Sequence, residues 1–313
     1  MLLPMAKMKN IKNQCIEHID DEKHLILPIT RITFPHSISY QFRPYISPPK
    51  YALLQSMAEK DAKHSQPLKV IRNSTWIYAG PLLSSLPPSF HAWSDNATSS
   101  SSLLLARLQP LLAFIHASLA ESDVQCYWIT IRATTPTKDY DMRRWHVDED
   151  FFAPDFSYSP FPGTASSKQG RNAWKLCATL LGPSTVFLKD NTSALRVLRK
   201  AKEEERKKHQ HQCTETRCLG CSTYSEALRA NLSTCLSSHR EVTPPPHAIV
   251  VFKTGQRSGA VHSEPRCNVD RVFINVVPGT EDELKKLMAK WGLGWPRAWC
   301  LGVDVRSDET ESF

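Results

Sequence analysis

Four runs of β-branched and aromatic residues set the strongest limit on what this chain can fold into. Residues 126–133 read CYWITIRA, 175–181 KLCATLL, 248–252 AIVVF and 271–277 RVFINVV. Such residues fit a pleated, half-buried surface, so each run is expected to be a strand. Residues 185–188 and 259–263 add two shorter candidates, and 70–79 an early one. The chain is therefore read as a β domain with helices attached to it.

Helical spacing stands out in two places. Leu104, Leu108, Leu111, Leu112, Ile115 and Leu119 recur on one face over 103–120, which predicts a helix packed on the core. His116 within it reads as a half-buried helix residue and not as a ligand. A closing helix is expected over 281–291, with Thr280 as N-cap and acidic residues in its first turn. A short helix is expected over 51–64, and 84–102, rich in Ser, Pro and Asn, reads as a surface loop. Residues 1–30 are polar with few periodic apolar positions and read as a flexible N-terminal arm. Residues 31–313 then form a single domain. It is interrupted over 194–246 by a charged helical stretch, a Cys-rich segment and the stop Pro244-Pro245-Pro246.

Bulk properties exclude some classes. An apolar fraction of 41% with 8 Trp and 12 Phe can build a core, so this is not a disordered composition. No run of about 18 uncharged apolar residues appears, which argues against a membrane span. The first residues lack the pattern of a secretory signal, so an intracellular location (cytoplasm or nucleus) is expected. Nine scattered cysteines then read as reduced thiols. Net charge is +8, and residues 196–211 supply half of it with seven Lys/Arg against three Glu. A local charge run without a basic face of stacking aromatics does not support nucleic-acid binding.

The chemistry gathers around Trp145-His146-Val147-Asp148. On extended chain, residues two apart point to the same side, so His146 and Asp148 can reach one ion together. An imidazole and a carboxylate are two of the three ligands of a facial triad, which leaves positions open on Fe(II). His-x-Asp is a short motif, and with twelve histidines it recurs at His18-Ile19-Asp20, in the polar arm. The plain alternative for His146 and Asp148 is a surface ion pair. Downstream, however, Ala260-Val261-His262-Ser263-Glu264-Pro265 follows an apolar strand. Nine residues after His262 comes Arg271, whose planar fork suits a carboxylate.

This arrangement of His-x-Asp, a long gap, His, and Arg resembles the Fe(II)/2-oxoglutarate-dependent dioxygenase superfamily. The segments WHVDED, LLGPST and AVHSEP are also similar to an uncharacterised domain family of bacteria and fungi, over roughly residues 100–300. The resemblance implies an α+β protein with a double-stranded β-helix core, jelly-roll or cupin-like, flanking helices and a helical, Cys-rich insertion. It implies that His146, Asp148 and His262 bind iron and that Arg271 binds the far carboxylate of 2-oxoglutarate. The reaction would then be hydroxylation or demethylation of a substrate, a small molecule or a protein, that the motifs do not identify.

Several alternatives stay open in the residues themselves. Arg266 competes with Arg271 for the carboxylate. Asn275 shares a strand face with Arg271, and Tyr127, Thr130 and Arg132 on an earlier strand are further candidates for cosubstrate contact. His262-Ser263-Glu264 is itself a His-x-Glu pair, which would suit a cupin-like metal protein without 2-oxoglutarate chemistry. A non-catalytic interaction module with the charged insertion as its docking surface is the third class. Finally, Cys218-Leu219-Gly220-Cys221 has the spacing of a zinc knuckle, with Cys213 and Cys235 as possible partners and His209, His211 and His239 nearby.

Overall fold

The computed structural model describes residues 31–35, 38–50, 52, 53, 56, 67–152, 174–211 and 218–304. The expected N-terminal arm lies outside them. Of the helix expected over 51–64, Ala52, Leu53 and Ser56 are described, and all three are helical.

In chain order the elements are β1 (Tyr40–Pro44), β2 (Ser74–Pro81), α1 (Pro88–Ala97), α2 (Ser101–Ala120), β3 (Cys126–Thr134), β4 (Trp174–Leu181), β5 (Val186–Leu188), α3 (Asn191–Lys208), α4 (Leu219–Cys235), β6 (Glu241–Val242), β7 (Ala248–Lys253), β8 (His262–Ser263), β9 (Arg271–Gly279), α5 (Glu281–Lys290) and β10 (Arg297–Leu301). Seven strands form one sheet in the order β1-β7-β4-β9-β3-β2-β10, and three form a small sheet in the order β6-β5-β8. Every strand pairing among the described residues is antiparallel. The protein thus mixes helices with antiparallel sheet.

Strand parity divides the large sheet into two faces. Tyr127, Ile129, Ile131, Leu176, Ala178, Leu180, Val272, Ile274 and Val276 fall on one face and pack against α1 and α2 in the main core. The opposite face carries Lys175 and Cys177 of β4, Val250 and Phe252 of β7, and Phe273 and Asn275 of β9. Register places Lys175 across from Phe252, and Cys177 across from both Val250 and Asn275. Phe187 of the small sheet closes over this second face in its own apolar cluster with Cys177, Val250 and Phe252. β4 is buried on both faces, which is why its sequence reads as a near-continuous apolar run.

α2 packs as its spacing requires, with Leu104, Leu108, Leu111, Ile115 and Leu119 fully buried. Each such side chain contributes about 1.5–3 kcal/mol. Its N-cap Ser100 accepts a hydrogen bond from the Leu103 N–H at 3.3 Å. By length and composition alone this helix could cross a membrane; here its apolar face lies against the sheet. α5 starts with a full capping box between Thr280 and Glu283.

Two differences from the sequence reading have physical causes. The loop expected over 84–102 contains α1, because Phe90, Trp93 and Ala97 form a buried stripe at helical spacing despite the polar residues between them. The strand expected over 70–79 starts only at Ser74: Val70 makes an isolated bridge to Thr98, and Ile71, Arg72 and Asn73 are exposed. Within 194–246, residues 219–235 are helical, and Glu241–Val242 pairs with β5 as a strand of the small sheet. α3 and α4 also bury Leu195, Leu198, Leu232 and Leu236 against Trp145, Val147 and Val261, beside the candidate site.

Candidate metal centre

His146 and His262 face one another as an antiparallel bridge, each N–H donating to the other's carbonyl at 2.9 Å. Directly opposed residues in such a pair project side chains to the same side, and the two rings lie 4.3 Å apart. Asp148, two residues after His146, turns its carboxylate toward both rings. Oδ1 is 3.7 Å from His146 Nε2, and Oδ2 is 3.5 Å from His262 Nε2. One ligand atom from each of the three residues lies within 4.8 Å of the other two.

Hydrogen bonds fix both imidazoles. His146 Nδ1 lies 2.7 Å from the Arg144 carbonyl, and His262 Nδ1 lies 2.9 Å from the Ala260 carbonyl. A carbonyl only accepts, so each Nδ1 donates to it, which in a neutral ring leaves the Nε2 lone pair on the side of Asp148. This is the outer-shell pattern found around histidine ligands. The donor set therefore fits a divalent transition metal of the kind served by two imidazoles and one carboxylate.

The backbone that carries these residues is held from several sides. Gly255 N–H donates to the Asp148 carbonyl at 2.8 Å, and Gly259 leaves room for Val147, whose Cγ1 a Cβ there would meet at 2.3 Å. Asn191, at the start of α3, donates to the Gly259 carbonyl and accepts from Val261 N–H at 2.7 Å. β5 pairs with β8 on its other edge. Phe187 and Phe252 wall in the His262 ring at 5.6 and 5.0 Å. His262 is buried whereas the His146 side chain is 40% exposed, so the site opens on the His146 side.

Electrostatics follow from this burial. Burial lowers the pKa of His262 from 6.5 to about 3, helped by neighbouring His146 and opposed by Asp148. Burial alone would raise the Asp148 carboxyl, but His262, Lys175 and His146 together hold it below its ordinary value. Lys175, which the sequence motifs do not mark, also reaches the candidate site. Its Nζ forms an ion pair with Asp148 Oδ2 and lies 5.1 Å over the Phe252 ring. The available signal was a single lysine inside an otherwise apolar strand.

Arg271 is buried at the start of β9, on the same sheet face as Lys175 and Cys177. Its Nε donates to the Pro183 carbonyl at 2.9 Å, Nη2 lies 3.5 Å from Thr185 Oγ1, and the guanidinium stacks over Phe273 at 4.3 Å. Among the described residues no carboxylate forms an ion pair with it. Arg266 is exposed in the turn before β9. Asn275 shares the Arg271 face, and its Oδ1 is buried with no hydrogen-bond partner among the described residues, as is Glu264 Oε2. Glu264 does not join the converging ligand atoms.

Tyr127 needs correction as a cosubstrate contact. It is fully buried on the helix-covered face, its hydroxyl 3.3 Å from His116 Nε2. Thr130 and Arg132 have the opposite parity and stand across from Asn275 and Phe273 on the site face. Cys235 also needs correction as a partner of Cys218 and Cys221. It ends α4, about 21 Å along the axis from Cys221 at 1.5 Å per residue, and its Sγ contacts Asn231 Oδ1. Cys213 lies outside the described residues.

No protein-family model matches the chain, and no curated protein matches it. Solved structures with remote likeness include a Pseudomonas putida prolyl-4-hydroxylase, at 12% identity over 78% of this chain and 93% of that one, TM-score 0.31. A rice dioxygenase for auxin oxidation matches at 10% identity over 79% and 76%, TM-score 0.38. HygX from Streptomyces hygroscopicus, solved with nickel and 2-oxoglutarate bound, matches at 11% identity over 80% and 88%, TM-score 0.34. Likeness of this degree establishes neither family nor activity.

Proposed function

We propose that this protein is a non-haem Fe(II)/2-oxoglutarate-dependent oxygenase, with His146, Asp148 and His262 as the metal ligands. The observation that carries the reading is the convergence of two Nε2 lone pairs and one carboxylate within 4.8 Å, both rings being locked by carbonyls. The reading extends to the fold. From β3 onward the chain alternates between the large sheet, the His146 bridge, β4, β5 and β6, β7, β8 and β9, which supports a double-stranded β-helix core.

Iron, when bound, would supply dioxygen activation coupled to oxidative decarboxylation of the keto acid. The chain's own residues do the rest. Arg271 is a buried guanidinium on the site face with no carboxylate ion-paired to it among the described residues, suited to holding the far carboxylate of a dicarboxylic keto acid. Lys175 adds a second cation beside the ligands, and Phe187 and Phe252 keep water away from the His262 side. Substrate would enter from the exposed His146 side.

The test is an anaerobic Fe(II) titration of the full chain, followed by 2-oxoglutarate and visible spectroscopy. A charge-transfer band that requires both additions and is absent in His146→Ala is the expected result. Iron binding with no response to 2-oxoglutarate would replace the oxygenase reading with a metal protein of other chemistry. Absence of iron binding would overturn it.

A further inference from the structure

A second cluster of metal-binding side chains lies where α3 gives way to α4. His211 follows the end of α3, Cys218 is the N-cap of α4, and Cys221 sits in its first turn. One ligand atom from each lies within 4.8 Å of the others, and His211 Nε2 is 3.2 Å from Cys221 Sγ. Neither cysteine is in a disulfide. The His211 ring is oriented as a ligand requires, since its Nδ1 lies 3.0 Å from the His209 carbonyl, which leaves the Nε2 lone pair toward the sulfurs.

The backbone is fitted to this ring. A Cβ added at Gly220 would stand 2.6 Å from His211 Cγ, closer than atoms can approach, so any other residue there would displace the imidazole. The helix end is compatible with thiolates, since the first turn of α4 carries no acidic residue and Cys218 and Cys221 lie at its positive dipole end.

We propose that His211, Cys218 and Cys221 bind one zinc ion that ties the end of α3 to the start of α4. Zinc is the ion these donors suit: it takes thiolate and imidazole together in tetrahedral geometry. With Zn–S near 2.3 Å and Zn–N near 2.0 Å, tetrahedral angles need an N···S separation of about 3.5 Å, close to that observed. The fourth position is left to water or one further donor. The clamp would brace a helical pair that is already joined lower down, where Asn231 donates to Glu205 at 2.7 Å. That pair packs against Trp145 and Val147, on either side of His146.

Cobalt(II) is the probe, because a thiolate–cobalt charge-transfer band reports sulfur ligands and the His-Asp-His centre has none. Reduced, full-length His146→Ala protein is titrated with Co(II), so the outcome is independent of the iron site. The expected result is one Co(II) per chain with the thiolate band and intense tetrahedral visible bands. Cys221→Ser should abolish the band. His211→Ala and Gly220→Ala should each weaken Co(II) binding by about tenfold or more, the loss that even outer-shell changes bring, while His211→Cys should retain it with a stronger charge-transfer band. Circular dichroism of each variant separates ligand loss from unfolding. Absence of a thiolate band in the reduced protein, or a band untouched by His211→Ala in a folded variant, would overturn the proposal.

Discussion

Lys175, the second residue of β4, is ion-paired with Asp148 and lies over the ring of Phe252, the residue opposite it on β7. Lys175 is buried, the Asp148 side chain is 16% exposed, and the lysine is the one charged residue of β4. Removing the lysine leaves the largely buried carboxylate without its cation. Lys175→Met is therefore expected to destabilise the metal-free protein by about 3 kcal/mol, measured as a lower urea midpoint. An unchanged midpoint would mean that the pair contributes nothing to stability.

Arg271 and Arg266 separate the two carboxylate anchors considered from sequence. Arg271→Ala should keep Fe(II) binding but weaken 2-oxoglutarate by about 2 kcal/mol or more, roughly thirtyfold, by calorimetry on the iron-loaded protein. Arg266→Ala, at an exposed position, should leave both affinities unchanged. The reverse pattern would move the anchor to the turn before β9.

His262 gives the metal-free protein a defined acid sensitivity. Its folded pKa is about 3, against an ordinary value of 6.5, so the unfolded chain binds a proton that the folded chain refuses. Stability from this group is complete above pH 6.5 and declines as pH falls toward 3. His262→Gln should flatten the stability–pH curve across that interval in urea melts. An unaltered slope would assign the acid sensitivity to other groups.

Gly182 has φ +80°, and a Cβ there would meet the Asp270 carbonyl at 2.3 Å. It precedes Pro183, whose carbonyl accepts from Arg271. Gly182→Ala is expected to cost roughly 1–3 kcal/mol of stability and also to weaken 2-oxoglutarate binding through Arg271. If calorimetry shows stability falling while the cosubstrate affinity stays constant, the turn does not position the guanidinium.

Trp93, fully buried in α1, anchors a helix that composition alone reads as a loop, and its Nε1 donates to Ser74 Oγ at 3.0 Å. Trp93→Ala should destabilise the protein by about 3–5 kcal/mol in a denaturant melt. A change below about 1 kcal/mol would show that α1 does not hold the core.

The parts of the site legible in sequence were those fixed by short spacing. His146 and Asp148 stand two apart on extended backbone, and His262 follows an apolar strand, so their types and order suggested one centre. Lys175 was not legible, because its burial depends on Phe252 and Asp148, which lie far away in the chain. Tyr127 was misplaced for a related reason. Period-two alternation divides β3 into two faces without saying which one α1 and α2 will cover. Cys235 was grouped with Cys218 and Cys221 by proximity in sequence, but a continuous helix carries it to the far end of α4.

By itself, then, the sequence determined local matters: the β-rich runs, the α2 stripe, the Thr280 cap and the types of residue available to bind a metal. These depend on backbone geometry and on neighbours within a few positions. Tertiary structure decided which face of the large sheet holds the site, that Arg271 and not Arg266 is buried, and that Lys175 meets Asp148. Those outcomes depend on how strands distant in the chain pair and which surfaces the helices cover, because desolvation and ion pairing act through space and are set only once the sheets have closed.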